Sequence, residues 1–424
     1  MTKKLAAHFA KANQTQSLPA PPGVDRRWDM DWLRVIAFGI LIPFHTAVLF
    51  LPDSIPHMPN EDASATLGIG VSFFHIFRLG LLFLVAGMGV AFSLKARTKA
   101  QFFAERTRRL VIPLIAGIVL LVPPIVYWEK SYIGAVEGSF WAFYPQVFTQ
   151  GVYPDGFLSW HHFWFIAYLY VFCVVGWPVL RYLRQEGEER RQRFARWAAR
   201  GGNLFALIGI LFGAELLLRP IFPGFHNLVT DWANFSHWFI LFLVGFVMAR
   251  EPILIDRCRD LRWLSLALGA AATILLFRSY YDFAESGFVI KREYTLSNAM
   301  VFAGFAGLRM IVAWSVIVAC VGFAARHLNR PSAALSYLNR AVYPLFCIHL
   351  TLIVGLGYVI LPLSWDIPMK FSAIVVGTFV LGLAAYEFVI RRFAVTRLLF
   401  GGRSSRPQPS ERPRQLGAHQ AEAV

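Results

Sequence analysis

Charge is scarce in this sequence. Asp, Glu, Lys and Arg make up 16% of its 424 residues, whereas a soluble domain carries about 25%, which excludes a water-soluble enzyme. Cysteine is rarer still, with four in all. Cys173, Cys320 and Cys347 fall within apolar stretches and Cys258 in a predicted inner loop, so a disulfide framework is excluded. No Cys-x-x-Cys or His-rich spacing points to a structural metal. A Gly-x-x-x-x-Gly-Lys-Ser/Thr loop, a dinucleotide fingerprint and a His-Glu-x-x-His helix are also missing. ATP-driven pumping, hydride transfer and zinc proteolysis therefore lack a basis in the sequence. Residues 1–30 are polar, contain Pro19, Pro21 and Pro22, and lack the short apolar core of a cleaved leader, so the first apolar run is expected to be an uncleaved anchor.

What the chain does have is long apolar runs. Hydrophobic residues make up 57% of it and the mean hydropathy is +0.52. A helix rises about 1.5 Å per residue, so about 20 apolar residues cross a hydrocarbon core about 30 Å thick. Ten such stretches are present, at 32–52, 70–93, 110–128, 160–180, 204–222, 234–250, 262–281, 300–323, 340–361 and 370–391. The expected class is an all-α, polytopic membrane protein with about ten transmembrane helices. Its expected organisation is a cytoplasmic tail (1–30), a membrane-embedded domain (31–397) and a disordered basic tail (398–424).

Basic residues outnumber acidic ones by 41 to 25, a net charge of +16 that first suggests a nucleic-acid partner. Their order along the chain argues otherwise. With the N-terminus inside, 32 of the 41 cations fall in predicted inner segments and six in outer ones, leaving Arg34, Arg78 and Arg309 in or at the edge of spans. That is the asymmetry that orients a membrane protein. Both termini are thus expected in the cytoplasm, and no nucleic-acid partner is expected. Residues 181–200 read as a mixed-charge amphipathic helix on the inner leaflet.

Ionisable side chains inside spans cost about 2.5 to 3.5 kcal/mol each on insertion scales and so mark function or pairing. In DWLRVIAFGILIPFH, Arg34 and His45 stand eleven residues apart. On a continuous helix that is about 20° past three whole turns and about 16.5 Å along the axis, one face at two depths. Pro43 lies between them, and Asp31 is three residues from Arg34, close enough to orient it. His75 and Arg78 share a face of the second span, which also carries Gly80, Gly87 and Gly89. His161 and His162 sit between Trp160 and Trp164 at the start of the fourth. Glu215 and Arg219 are spaced to pair with each other, while Arg309, His349 and Glu387 need partners, Glu387 being also placed to anchor the inner end of its span.

Four segments carry a resemblance. They are DWLRVIAFGILIPFH (31–45); FFHIFRLGLLFLVAGM (73–88); ERTRRLVIPL (105–114) followed by HFWF (162–165); and LNRAVYPLFCIHLTLIVG (338–355) with YEFVIRRFAVTRLLFG (386–401). In this order the chain resembles the membrane-bound acyltransferases of the acyltransferase-3 type, in particular the glucan biosynthesis protein C branch, which succinylates periplasmic glucans. The resemblance implies a multi-pass protein of the bacterial inner membrane. It implies transfer of an acyl group from cytoplasmic acyl-coenzyme A, a donor substrate and not a bound cofactor, to a hydroxyl of a carbohydrate or other envelope acceptor at the outer face. Carried over residue by residue, His45 would be the general base and Arg34 would hold the anionic part of the donor. Arg78 would line the same cavity, His349 would complete it opposite His45, and His162 and Trp164 would stand at the acceptor entrance. His75 and Arg309 join the candidate binding residues from their positions in spans, membrane lipid is an expected partner, and no metal ligand is expected. A secondary transporter of an organic anion, using Arg34, Arg78, Arg309 and Glu387, is the competing reading; the two halves of the chain lack the internal similarity it would favour.

Overall fold

Backbone polar groups in an apolar setting are satisfied most simply inside a helix. In the computed structural model the described residues are accordingly mostly helical, and among them the only β pairing is an isolated bridge between Val152 and Leu158. The structure describes residues 27–51, 58, 62–95, 97–153, 155–224, 226–285 and 296–402. Residues 1–26 of the expected N-terminal tail, residues 403–424 of the basic tail, and Lys291 and Arg292 lie outside them.

Among the described residues, eight helices are long and apolar enough to cross a membrane, or up to ten if each of two bent pairs is one span. The protein is thus an all-α, polytopic membrane protein, as expected. The eight are Trp28–Val48, Ala65–Leu94, Lys99–Tyr132, Trp232–Arg250, Pro252–Asp282, Asn298–His327, Ala333–Ile360 and Ile367–Ile390. The first bent pair, His161–Val175 with Trp177–Arg184, turns by 58° around Gly176 and Pro178. The second joins Glu188–Ala198 to Asn203–Leu218 at 111°, which separates the mixed-charge helix from the apolar one that follows it.

Proline sets the irregularities within helices, because it donates no N–H and its ring crowds the carbonyl four residues back. The first span breaks at Ile40 into α1 (Trp28–Gly39) and α2 (Leu41–Val48), where Pro43 leaves the Gly39 carbonyl without its helical donor. The third, α3 (Lys99–Tyr132), runs further towards the N-terminus than the expected 110–128 and widens into π turns at Thr107–Val111 and Gly117–Leu121. These precede Pro113 and Pro123. Hydroxyl groups supply the missing donors, Tyr343 to the Arg109 carbonyl at 2.8 Å and Tyr144 to Val119 at 3.1 Å, and Thr351 donates to Leu121 beside them at 3.0 Å.

The chain divides into two units. Unit 1 comprises Met1–Leu41, Ile69–Ala96 and Phe172–Asn339. Its helices approach through glycine: a Cβ on Gly87 would lie 1.9 Å from the Phe242 carbonyl oxygen, and one on Gly245 1.9 Å from that of Leu84. The second and sixth apolar stretches are thus in backbone contact, which only small residues permit. Gly322 stands in the same relation to the carbonyl of Cys258, at 2.2 Å. A core of Ala272, Leu276, Phe305 and Val312 fills the space beside that crossing.

Unit 2 comprises Ile42–Gly68, Arg97–Val171 and Arg340–Val424. Its core gathers Ile42, Leu49, Phe50, Met58, Ile125, Leu350, Ile353, Val354, Leu361 and Ile374. The buried Lys370 ammonium donates to Asp62 at 2.5 Å and to the Leu361 carbonyl at 2.8 Å, tying the start of the last long helix to the unit. A cation at a span end is thereby neutralised inside the protein.

Candidate active site

Three histidines from distant parts of the chain meet in unit 2. His45 lies on α2, directly after Phe44, whose ring stands edge-on to it at 5.2 Å. His349 lies on the long helix Ala333–Ile360, five residues after Pro344. His162 lies in the short turn His161–Phe163 that leads into α4 (Trp164–Val175). Its neighbour Phe163 is wholly buried against Gly117, where any Cβ would come within 2.2 Å of the ring, so the glycine in the π turn of α3 makes room for this turn to seat. The His45 and His349 ring centroids are 5.3 Å apart, and those of His162 and His349 4.9 Å apart in a T-shaped pair.

Backbone carbonyls fix the two buried rings. The Nδ1 of His349 contacts the Phe346 carbonyl at 2.6 Å, and the Nε2 of His162 contacts that of Cys347 at 3.0 Å. A carbonyl only accepts, so each of these nitrogens carries the proton. The opposite nitrogens, Nε2 of His349 and Nδ1 of His162, then present lone pairs. His45 is only half-buried, so its imidazole is the most accessible of the three. Trp164 belongs to an aromatic group, edge-on to Tyr168 at 5.3 Å and to Phe165 at 6.2 Å.

The cationic candidates belong to unit 1. Arg34 donates to Asn339 at 3.2 Å and lies 3.6 Å from Asp31, the neighbour expected to orient it. Gly89 leaves room for it, since a Cβ there would be 3.2 Å from the guanidinium. Arg78 is buried, with 5% of its surface exposed, whereas His75 one turn away is exposed. Arg309 finds its partner in Glu215, at 3.7 Å, and the same carboxylate binds Arg219 at 2.9 Å. The i,i+4 pair expected from sequence is therefore one side of a three-residue group. Glu387 pairs with Arg391 one turn on, at 2.6 Å.

Two further polar groupings come only from the fold. In unit 1 the Asp231 carboxylate accepts from the His226 amide at 2.9 Å and from Asn234 at 2.6 Å, and Asn234 in turn accepts from Arg219 at 2.7 Å. Burial, with Arg78 nearby, holds the His226 imidazole down at about 4. In unit 2 the buried Glu129 lies 3.5 Å from His161, whose Nδ1 meets the Ser159 hydroxyl at 2.7 Å. Burial and that carboxylate push the Tyr153 phenol above its usual range. His161 of this group stands out in sequence beside Trp160, whereas Glu129 is marked only by standing directly after the apolar run of α3. Among the described residues, no group of three or more His, Cys, Asp or Glu side chains is placed to hold a metal ion.

Comparison with known proteins agrees with this architecture. Residues 27–387 match the acyltransferase domain model of the acyltransferase-3 type. The chain is similar to Glucans biosynthesis protein C of Salmonella agona (strain SL483), with 23% identity over 405 residues, covering 93% of this chain and 98% of the relative. The protein of the same name from Salmonella typhi is 22% identical over the same coverage. No solved structure matches.

Proposed function

Because the chain belongs to the acyltransferase-3 family and is a multi-pass membrane acyltransferase, we propose that it is an O-acyltransferase of the bacterial inner membrane, with both termini in the cytoplasm. It takes an acyl group from cytoplasmic acyl-coenzyme A and delivers it to a hydroxyl of a carbohydrate or other envelope molecule at the outer face. The observation that carries this reading is the half-buried His45 imidazole beside His349 and His162.

Imidazole is the side chain whose ordinary titration lies near neutrality, so in its neutral form it takes a proton from an attacking alcohol at physiological pH. A thioester needs no metal to be attacked by an activated hydroxyl. His45 is assigned the base role, and His349 and His162, each anchored to a backbone carbonyl, line the polar wall beside it. Trp164 is assigned to the acceptor. In unit 1, Arg34 is assigned the anionic part of the donor, because Asp31 and Asn339 hold its guanidinium in place; Arg78, His75 and Arg309 are assigned to donor binding. The names of the Salmonella relatives favour a glucan acceptor.

The test is His45→Ala. Purified variant and parent are compared for release of free coenzyme A from acetyl- and succinyl-coenzyme A, and envelope glycans from cells carrying each are compared by mass. The expected result is loss of coenzyme A release and of the acyl mass increment with unchanged protein level. Acylation retained by His45→Ala would remove the base assignment.

A further inference from the structure

Beside the histidine cluster, unit 2 holds a second group of reactive side chains to which the proposed transfer assigns nothing. Glu129, at the end of α3, has 3% of its side chain exposed and lies 3.5 Å from Nε2 of His161, itself 4% exposed. On the other side of the ring, Nδ1 of His161 lies 2.7 Å from the Ser159 hydroxyl oxygen. The geometry points to Ser159 as a nucleophile that carries the acyl group covalently between donor and acceptor, with His161 as its base and Glu129 as the carboxylate that orients and charges-balances the imidazole; the inference rests on the acyltransferase reading.

Proton placement follows from the chemistry of the three groups. A carboxylate accepts only, so it draws the imidazole proton to Nε2 and leaves the lone pair on Nδ1. The Ser159 hydroxyl then donates to Nδ1. Ser159 also accepts the backbone N–H of His161 at 3.0 Å, which holds its oxygen in place from a second direction. This is the arrangement of nucleophile, base and orienting carboxylate that activates a serine, recognised by geometry and not by order along the chain.

His161 is held in a conformation that L-residues avoid, with φ +39. Such backbone strain persists only where surrounding structure enforces it, and it concentrates where a side chain must be aimed. Here it aims the ring between Glu129 and Ser159. Tyr153 covers the ring, with centroids 5.1 Å apart, and Lys130 lies over Tyr153 at 5.5 Å. Ser159 is half-buried. It stands three residues before His162, whose ring packs on His349.

In the first step the Ser159 oxygen attacks the thioester carbonyl carbon. The new carbon–oxygen bond forms and the carbon–sulfur bond breaks, while the serine proton passes to Nδ1 of His161 and on to the departing thiolate, giving free coenzyme A. In the second step the acceptor hydroxyl, deprotonated by His45, attacks the Ser159 ester; the new acyl–oxygen bond forms and the bond to Ser159 breaks, the Ser159 oxygen takes a proton from the His161 imidazolium, which water has protonated, His45 releases its proton to water, and the acylated acceptor leaves. Glu129 stabilises the imidazolium in both steps.

The full-length protein in detergent is incubated with labelled succinyl- or acetyl-coenzyme A without acceptor, quenched in acid and mapped by peptide mass. The expected result is a mass gain equal to the acyl group on Ser159, absent in Ser159→Ala. In Ser159→Cys the same peptide carries a thioester, which neutral hydroxylamine cleaves while the serine ester resists it. Glu129→Gln slows labelling of Ser159, and Ser159→Cys restores it in that background, because a thiol needs less help from a base; a merely structural Glu129 would give no such rescue. Full transferase turnover by Ser159→Ala, alongside an inactive His45→Ala, overturns the relay and leaves the acyltransferase reading standing. Release of no coenzyme A by the parent protein from either donor overturns both.

Discussion

The imidazoles of His45 and His349 lie with their centroids 5.3 Å apart, tilted by 50°, although 304 positions separate them in the chain. The Nδ1 proton of His349 is committed to the Phe346 carbonyl, so the ring's other nitrogen is an acceptor fixed in direction. A base that acts beside such a fixed ring depends on it for orientation. His45→Ala is expected to lower kcat by about 10²–10⁴-fold, the usual worth of a positioned general base. His349→Ala is expected to give a smaller loss. Combined, the two substitutions should cost no more than His45→Ala alone, since groups that act as a unit are not additive. Coenzyme A release measured for the four proteins of the cycle checks this; additive losses would mean that the two rings act independently.

Gly87 and Gly245 provide a stability test separate from chemistry. At either position a Cβ would sit 1.9 Å from a carbonyl oxygen of the facing helix. Gly87→Ala and Gly245→Ala are each expected to destabilise the protein by about 1–3 kcal/mol, the cost of overpacking. Gly304→Ala is the control: nothing lies within 4 Å of its added methyl, and alanine is the better helix former. Thermal unfolding in detergent should therefore show two lowered midpoints and one unchanged or raised. Equal midpoints for all three would deny the close helix crossing.

Hydropathy alone located the spans, because a helix that buries its own backbone needs only length and apolar side chains. Irregularities were less legible. Pro113 and Pro123 stand in the third apolar run, but the π turns are accompanied by hydroxyl contacts from Tyr343, Tyr144 and Thr351 that no local pattern reveals. The same division holds for side chains. Glu215 and Arg219 could be paired by helical spacing, whereas Arg309 joins them only through tertiary packing. His45 and His349 were each visible as isolated polar residues in apolar runs, while their adjacency is a property of the fold. Glu129 stayed hidden because an acid followed by Lys130 at a helix end reads as a solvated pair, yet its side chain is buried against His161.

His226 gives stability a defined pH dependence. Burial, with the Arg78 charge nearby, lowers its pKa from 6.5 to about 4, and its ring stacks on Trp238 at 5.6 Å while its amide donates to Asp231. Between these values the unfolded chain binds a proton that the folded protein does not, so stability falls as pH drops from 6.5 towards 4 and is unaffected by this group above 6.5. His226→Asn removes the titration and tolerates the backbone, since φ is +52 and asparagine enters that region readily. Unfolding midpoints measured from pH 7 to pH 4 should decline less in His226→Asn than in the parent. Parallel curves would show that His226 titrates alike in both states.

The Glu215 carboxylate pairs with both Arg219 and Arg309, at 2.9 and 3.7 Å, and its side chain is 1% exposed. Removing one member of a buried ionic group leaves the others desolvated without compensation, which costs about 3–5 kcal/mol. Glu215→Gln keeps the shape and withdraws the charge, so it should destabilise by an amount in that range. Arg309→Gln should cost less, because its side chain is 34% exposed and Glu215 keeps Arg219. The pair also separates structure from ligand binding. If Arg309 serves only this ionic group, Arg309→Gln changes the unfolding midpoint and leaves KM for acyl-coenzyme A unchanged. If it also meets the donor, KM rises at a temperature where the variant is fully folded, and the assignment of Arg309 to donor binding stands on that measurement.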